Sequence, residues 1–288
     1  MPAKYTPGIS FLCARRAGNG NCSLTATLDK KEIFTEEANC TEELRKEYLG
    51  GGITAFISKQ HGFGTDAVLL ADFAAPSKKA VCCDLGTGCG IIPLLWCKKE
   101  GGKITAVEIS AEACGQAELA AAENKLENRL TVINSDLRDL KGKVEGGSFD
   151  IVTMNPPYKA QGTGIESASE SDRIARHGIE CTLDDMCLAA SKLLKYSGKL
   201  CVCLRPERTA ELFKSMQKYS IEPKRLRYVS KCHGAAPWLV LCEGRLGGKP
   251  GMTVEPQFAV YEGDEYSPAM KAIYSDYLFE NRGDELER

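Results

Sequence analysis

A glycine-rich turn between a buried strand and a helix limits the fold of this chain more than any other feature. The run Ala80–Leu85 is apolar apart from Asp84, which is the pattern of a strand covered on both faces. The sequence Gly-Thr-Gly-Cys-Gly follows at 86–90, and a helix is predicted over 91–99. Glycines in such a turn let a ligand approach the backbone closely. The pattern therefore predicts a parallel sheet with a ligand site at its carboxyl edge.

Apolar strands and helices alternate through the middle of the chain. Further strands are predicted at 103–107, 130–133, 149–153 and 199–204, and helices at 111–124, 183–195 and 207–219. Two later runs, Lys224–Val229 and Trp238–Cys242, are predicted to form an antiparallel closing pair. This order predicts an α/β fold with a doubly wound, Rossmann-like and mostly parallel sheet of seven strands.

The ends of the chain are less regular. Residues 1–41 lack clear periodicity and are rich in Asn, Gly, Thr and Ser, so we expect a flexible extension or a small irregular appendage. A single domain is expected over 42–288. Its remaining predicted elements are a helix at 42–49 with Thr41 as its N-cap, a strand at 53–58, a helix at 67–73, a loop at 247–256 and a terminal helix at 267–279.

The composition is that of a soluble globular protein. Of the 288 residues, 43% are hydrophobic and 26% are charged, and no apolar run approaches the length of a transmembrane span. The fourteen cysteines include no Cys-x-x-Cys pair, and the chain has only three histidines. We therefore expect no metal site and no membrane association, with the thiols buried in a reducing cytoplasm.

Two carboxylates near the glycine turn indicate the kind of ligand. Glu108 closes the strand predicted at 103–107, twenty residues after Gly88, where a carboxylate can accept from both hydroxyls of a ribose. Both a nicotinamide dinucleotide and S-adenosylmethionine carry such a ribose. Asp84 stands just before the turn, where it would repel a pyrophosphate but pair with the amino group or the sulfonium side of S-adenosylmethionine. The residues therefore favour S-adenosylmethionine.

Two further aspartates have both a structural and a ligand-binding interpretation. Asp136 follows the strand predicted at 130–133, so it could accept from an adenine amine or cap the next turn. Asp66 stands at the start of the helix predicted at 67–73. It could cap that helix, or the amides of the helix N-terminus could hold a ligand carboxylate. In the context of the neighbouring motifs we favour the ligand-binding interpretation for both.

The sequence Asn155-Pro156-Pro157-Tyr158 follows the strand predicted at 149–153. The Asn155 side chain and the Pro156 carbonyl offer hydrogen-bond acceptors, and the Tyr158 ring offers a flat surface for stacking. Acceptors beside a stacking surface suit an amine on a planar group, such as adenine, guanine, cytosine or a glutamine amide. The motif therefore indicates methylation of an amine, although a strand that ends in a rigid turn would read the same way.

Positive charge is concentrated after this motif. A polar loop over 159–182 contains Arg173, Arg176 and His177, which we expect to face the substrate. The segment 192–231 has eleven Lys or Arg residues and three Glu residues, although the whole chain has a net charge of −2. This excess could steer a polyanion toward the site, or it could belong to the solvated faces of helices.

These motifs together resemble those of a known class of enzymes, the class I, S-adenosylmethionine-dependent amino methyltransferases. The residues that carry this resemblance are Asp84, Leu85, Gly86, Thr87, Gly88, Cys89, Gly90, Glu108, Asp136, Asn155, Pro156, Pro157 and Tyr158. Flanking stretches narrow the resemblance to the tRNA1(Val) adenine-N6 methyltransferase family. These stretches are 62–70, 175–177, 181–185, 204–207, 247–249 and 254–256, and the resemblance extends over residues 42–277.

The resemblance implies a role for each matching residue. The catalytic residues would be Asn155, Pro156, Pro157 and Tyr158. S-adenosylmethionine would be held by Thr65, Asp66, Asp84, Gly86, Thr87, Gly88, Gly90, Glu108 and Asp136. The partner would be a tRNA, with adenine 37 of tRNA1(Val) as the base, and Arg173, Arg176 and His177 would contact it. Such a reaction needs no strong base, because orientation and hydrogen bonds supply most of the rate.

The alternative is a protein glutamine N5-methyltransferase that acts on release factors, which shares the Asn-Pro-Pro-Tyr motif. That family normally carries a separate helical bundle before its catalytic domain, and residues 1–41 are too short to form one. A cofactor-binding protein without catalysis would be expected to lose Asn155 or Tyr158, and both are present. The resemblance therefore favours a tRNA methyltransferase.

The irregular composition of residues 1–41 leads to a first prediction. A chain truncated to begin at Thr41 should keep the melting temperature and the activity of the full chain, because the motifs and the predicted core begin after this point. Calorimetry and a methyl-transfer assay on both chains test this. A loss of several degrees in melting temperature would show instead that the extension packs on the core.

Overall fold

The structure is a computed structural model that describes residues 44–99, 102–156 and 181–277. These residues fall in one compact unit that begins at Leu44. The extension predicted at 1–41, the site residues Pro157 and Tyr158, and the substrate-facing Arg173, Arg176 and His177 lie outside the described residues.

The described elements follow the predicted alternation of strands and helices. The longer strands are β1 (Arg45–Tyr48), β2 (Thr54–Ile57), β3 (Cys82–Leu85), β4 (Ile104–Glu108), β5 (Leu130–Asn134), β6 (Phe149–Met154), β7 (Leu194–Leu204), β8 (Ile221–Ser230) and β9 (Pro237–Leu246). Four two-residue strands follow: β10 (Thr253–Val254), β11 (Phe258–Ala259), β12 (Tyr261–Glu262) and β13 (Glu265–Tyr266). The helices are α1 (Thr65–Ala74), α2 (Ile91–Lys98), α3 (Ala111–Glu123), α4 (Leu183–Leu193), α5 (Thr209–Lys218) and α6 (Pro268–Tyr277), with a 3₁₀ turn at Pro206–Arg208.

Seven of these strands form the main sheet, in the order β5-β4-β3-β6-β7-β9-β8. All neighbours among β3 to β7 are parallel, whereas β9 runs antiparallel to both β7 and β8. The short strands β10 and β11 extend the edge at β8. The prediction of a doubly wound, mostly parallel sheet with an antiparallel closing pair is therefore confirmed.

Each face of the sheet carries its own hydrophobic core. The alternation of side chains along a strand divides neighbouring residues between the two, so that Cys82 belongs to one core and Cys83 to the other. One core is covered by α1, α2 and α3 and the other by α4 and α5. The described cysteines are free thiols, and burial raises the pKa of Cys82 to about 12. No helix among the described residues is long and apolar enough to cross a membrane.

The prediction of a helix at 42–49 is wrong, because residues Arg45–Tyr48 form a strand. Strand β1 pairs antiparallel with β2, and the glycines at 50–52, all with positive φ, form the turn between them. Glycines at this place can end a helix, but the left-handed backbone that they supply suits a hairpin equally well. Asn124 fastens this hairpin to the end of α3, since its side chain exchanges two hydrogen bonds with the backbone of Thr54.

Several element boundaries differ from the predicted ones. Helix α4 ends at Leu193, and β7 begins at Leu194 rather than at residue 199. Ser197 has a φ of +64° inside this early part of the strand, and the pairing of β7 with β6 is irregular there. The loop predicted at 247–256 contains β10, which the sequence did not indicate because the strand has only two residues.

Many Lys and Arg side chains of the basic segment 192–231 form ion pairs with carboxylates of the same domain. Six of its eleven cations lie within 4 Å of a carboxylate: Lys195, Lys199, Arg208, Lys218, Arg225 and Arg227. Arg225 is the centre of this network, because it donates to Glu243, to Glu255 and to the backbone carbonyl of Phe73. Arg225 therefore joins β8 to β9 and to α1.

This network leads to a prediction about stability. Glu243 is 5% exposed and accepts from both Arg225 and Lys199, so Glu243→Ala removes the shared acceptor of two cations. We expect the free energy of unfolding to fall by about 2 kcal/mol, less than for a fully buried pair because both cations reach solvent. Glu262→Ala, at an exposed position on β12, is the control and should change the stability by less than about 0.5 kcal/mol. Equal denaturation midpoints for the two variants would contradict the prediction.

Candidate active site

The pairing of β3 with β6 places two of the predicted motifs side by side. Leu85, the last residue of β3, lies opposite Met154, the last residue of β6. The glycine turn that starts at Gly86 and the motif that starts at Asn155 therefore leave the carboxyl edge of the sheet next to each other. This edge is where open α/β sheets bind their ligands.

The glycine turn adopts a backbone that other residues rarely adopt. Gly86, Gly88 and Gly90 have φ values of 67°, 57° and 83°. A Cβ atom on Gly90 would lie 2.9 Å from the Cβ of Ala117, so this glycine allows α3 to pack against the turn. A Cβ on Gly88 would meet nothing within 4 Å, so the turn is open at this point. The turn thus combines close packing beneath it with free space above.

Glu108 holds the glycine turn against the end of β4. One oxygen of its carboxylate accepts from the backbone N–H of Gly88 at 2.8 Å. The other accepts from the N–H groups of Ile109 and Ser110 at 2.8 and 2.9 Å. A carboxylate has about four acceptor positions, so these three bonds fix its orientation and leave capacity for a ligand. The contact with a ribose stays a prediction.

Asp84 is a buried carboxylate at the end of β3. It is 1% exposed, and its Oδ1 accepts from the hydroxyl of Thr153 at 2.6 Å. Its Oδ2 has no hydrogen bond of good geometry among the described residues, although the hydroxyl of the buried Thr87 lies close enough to favour the charged form of the carboxyl. Burial raises the pKa of Asp84 to about 7, although the bond from Thr153 favours the charged form. A buried polar atom without a hydrogen-bond partner lowers the stability of the fold. A cationic ligand at this edge would supply a partner for the Asp84 carboxylate, so the residues fit S-adenosylmethionine.

Asp136 is engaged by Arg138. The backbone N–H of Arg138 donates to Oδ1 at 2.8 Å, and its guanidinium contacts both carboxylate oxygens. The hydrogen bond from this guanidinium holds the pKa of Asp136 below its ordinary value. The turn-capping interpretation is therefore present in the structure, and the contact with adenine stays a prediction.

Thr65 and Asp66 open helix α1, whose N-cap position is occupied by Gly64. Asp66 therefore lies in the first turn and does not cap the helix as an N-cap residue would. Its Oδ1 accepts from the N–H of Ala67 at 3.0 Å, and its Oδ2 accepts from the side-chain amide of Asn155 at 3.3 Å. Thr65 lies on the other side, with its hydroxyl 3.5 Å from that of Tyr274 on α6. Asp66 thus joins the first turn of α1 to the start of the Asn-Pro-Pro-Tyr motif.

Asn155 is partly buried, and Pro156 after it is buried. The thiol of Cys203, at the end of β7, donates to Asn155 Oδ1 with a sulfur–oxygen distance of 3.0 Å. The local sequence around Cys203 indicates only a buried thiol. The signal that could have found it is register, because parallel pairing of the predicted strands 149–153 and 199–204 brings residues 155 and 203 together. The described residues contain no group of three or more potential metal ligands.

Comparison with solved structures defines the class of protein. A predicted O-methyltransferase from Agrobacterium tumefaciens superposes with a TM-score of 0.59 at 18% identity, covering 74% of this chain and 96% of that one. The TYW2 protein of Pyrococcus horikoshii, solved in complex with MeSAdo, superposes with a TM-score of 0.51 at 14% identity, covering 72% and 73%. The fold is that of the class I methyltransferases, which use S-adenosylmethionine.

Comparison of sequences identifies the family. Residues 54–219, more than half of the chain, match the methyltransferase small domain family. The tRNA1(Val) (adenine(37)-N6)-methyltransferase of Tolumonas auensis is 30% identical over 217 residues, which are 74% of this chain and 88% of that protein. The enzyme of the same name from Parabacteroides distasonis is 29% identical over 216 residues, with coverages of 74% and 89%. The chain belongs to the methyltransferase small domain family and, within it, groups with these adenine-N6 methyltransferases.

The raised pKa of Asp84 predicts that cofactor affinity depends on pH. A cationic ligand requires the ionised carboxylate, and a pKa of about 7 leaves roughly a tenth of the molecules ionised at pH 6 and nine tenths at pH 8. S-adenosylmethionine should therefore bind about tenfold more tightly at pH 8 than at pH 6. Calorimetry in buffers of different ionisation enthalpy should also detect a proton released on binding at pH 6. Asp84→Asn should remove both effects, and a pH-independent affinity of the unmodified protein would contradict this account.

Proposed function

We propose that this protein transfers a methyl group from S-adenosylmethionine to the N6 amine of an adenine in tRNA. The observation that carries the proposal is the position of the Asn155 amide, held by hydrogen bonds beside the glycine turn at the carboxyl edge of the sheet. The names of the relatives supply the substrate, and they point to adenine 37 of tRNA1(Val) as the base. The family match over residues 54–219 supports the reaction class.

The proposed cofactor site lies along the carboxyl ends of β3, β4 and β5. The cofactor supplies an activated methyl group when it is bound. We assign its amino acid end to Asp84 and Thr65, because Oδ2 of the buried Asp84 offers a negative charge there. Glu108 is the candidate ligand of the ribose and Asp136 that of the adenine, each carboxylate already oriented by neighbouring N–H groups. Gly86, Gly88 and Gly90 keep side chains away from this path, and Thr87 adds a buried hydroxyl.

The acceptor amine is the weak nucleophile of the reaction, because its lone pair is delocalised into the adenine ring. An N–H group that donates to Asn155 Oδ1, and a second that donates to the Pro156 carbonyl, would hold the nitrogen in a more tetrahedral geometry. This geometry returns electron density to the nitrogen and directs it at the methyl group. We assign stacking of the base to Tyr158, on the strength of the sequence motif. No side chain has to act as a strong base, since the amine loses its proton after the transfer.

The substrate proposal also rests on charge near this edge. Arg205 and Lys231 are exposed and follow the ends of β7 and β8, on the same side of the sheet as Asn155. The guanidinium of Arg205 lies 5.9 Å from the ring of Trp238 and donates to its backbone carbonyl. A cation beside an aromatic ring suits a phosphate and a base that has left its stack. Arg173, Arg176 and His177 are proposed as further contacts with the tRNA.

The test is nucleoside mass spectrometry of tRNA incubated with the protein and labelled S-adenosylmethionine. N6-methyladenosine should appear in tRNA1(Val), and Asn155→Ala should lower the rate of its formation by about 10² to 10³. Cofactor affinity of this variant, measured by calorimetry, should stay within about twofold of the unmodified protein, because the amide contacts the acceptor. Label in a release-factor peptide, with all tRNAs unlabelled, would identify a glutamine methyltransferase and overturn the proposal.

A further inference from the structure

Two groups outside the Asn-Pro-Pro-Tyr motif contact the Asn155 amide from opposite ends. Asp66 Oδ2, from the first turn of α1, accepts from Nδ2 at 3.3 Å. Cys203 Sγ, from the second-last residue of β7, donates to Oδ1 at 3.0 Å. Asp66 is partly buried, and Cys203 is fully buried. The amide is thus held by a helix, α1, and by a strand, β7, that both contact β6.

The chemistry of these two contacts selects one orientation of the amide. A carboxylate only accepts hydrogen bonds, so it faces the NH₂ group, and a thiol that donates faces the carbonyl oxygen. A flipped amide would place its oxygen against the carboxylate of Asp66 and its NH₂ group against the thiol. The contact with Asp66 would then bring two acceptors together, and the thiol could only accept weakly from the NH₂ group. Asp66 therefore selects the orientation, and Cys203 favours the same one.

This orientation matters because the two ends of an amide have opposite hydrogen-bonding roles. An amine that is to be methylated needs an acceptor, and only Oδ1 can accept. Oδ1 has two lone pairs, and Cys203 occupies one of them. The residue before a proline is restricted to extended backbone, so Pro156 already limits the backbone of Asn155 and leaves mainly the side-chain torsions to be fixed.

We propose that Asp66 and Cys203 are positioning residues, which hold the Asn155 amide with its oxygen toward the acceptor amine. The proposal rests on the proposed function, and it gives Asp66 a role different from contact with the cofactor.

The Cys203 contact is tested with three variants and the tRNA assay. Cys203→Ala should lower kcat about tenfold with the KM for the cofactor unchanged, since it removes one orienting hydrogen bond. Cys203→Ser keeps a donor and should recover most of the activity. Cys201→Ala is the matched control. Cys201 lies two residues earlier on the same strand and is equally buried in the same core, so this substitution removes the same volume. Equal losses from Cys201→Ala and Cys203→Ala, or none from Cys203→Ala, would overturn the proposal for Cys203.

The Asp66 contact is tested by separating turnover from cofactor binding. Asp66→Ala should lower kcat about tenfold and leave the dissociation constant of S-adenosylmethionine within about twofold, as expected of a positioning residue. Glu211→Ala controls for loss of a first-turn carboxylate, since Glu211 occupies the first turn of α5. A weaker cofactor affinity with unchanged kcat would assign Asp66 to the cofactor and overturn its positioning role.

A readout independent of activity separates failure of this proposal from failure of the proposed function. In protein labelled with ¹⁵N-asparagine, the side-chain signal of Asn155 is identified by its absence from Asn155→Ala. This signal should shift in Asp66→Ala and in Cys203→Ala, and it should stay unchanged in Cys201→Ala and in Glu211→Ala. Shifts without any methylation of tRNA would contradict only the proposed function, whereas methylation without shifts would contradict only the positioning of the amide.

Discussion

The parallel pairing of β3 with β6 is the constraint on which the rest of the site depends. It ends both strands at the same level, so that the glycine turn and Asn155 leave the sheet as neighbours. The hydrogen bond from Thr153 to Asp84 joins the same two strands beneath the site, and it is buried from solvent. The proposed cofactor site beside β3 and the proposed acceptor site beside β6 would therefore meet without any loop having to bring them together.

The alternation of strands and helices could be predicted from the sequence because parallel strands are buried on both faces and read as apolar runs. The antiparallel closing pair and the glycine turn were predicted for similar local reasons. The N-terminal hairpin was not, because glycines with positive φ end a helix and turn a hairpin with the same backbone. The ion pairs of the basic segment also could not be predicted from the sequence, since two of the carboxylates involved, Glu255 and Asp150, lie outside the segment.

The candidate site shows the same division between local pattern and long-range contact. Glu108 and Asn155 stand where their motifs place them, at the ends of β4 and β6. The bond between Asp66 and Asn155 joins residues 89 positions apart, and that between Cys203 and Asn155 joins residues 48 positions apart. Such contacts depend on the register of strands and on the angle of a helix, which no local pattern encodes. Asp136 shows the converse, because its strong local partner is only two residues away.

The position of β9 in the sheet has a consequence for the order in which this protein can be made. β9 is later in the chain than β7 and β8, yet it lies between them and is paired with both along most of its length. While the chain is still on the ribosome and has not reached Pro237, β7 is an edge strand with unpaired backbone groups. Cys203 near its end then lacks Leu241, its neighbour in β9. The thiol that contacts Asn155 therefore stays at an open edge of the sheet until residues 237–246 have been made and have joined it.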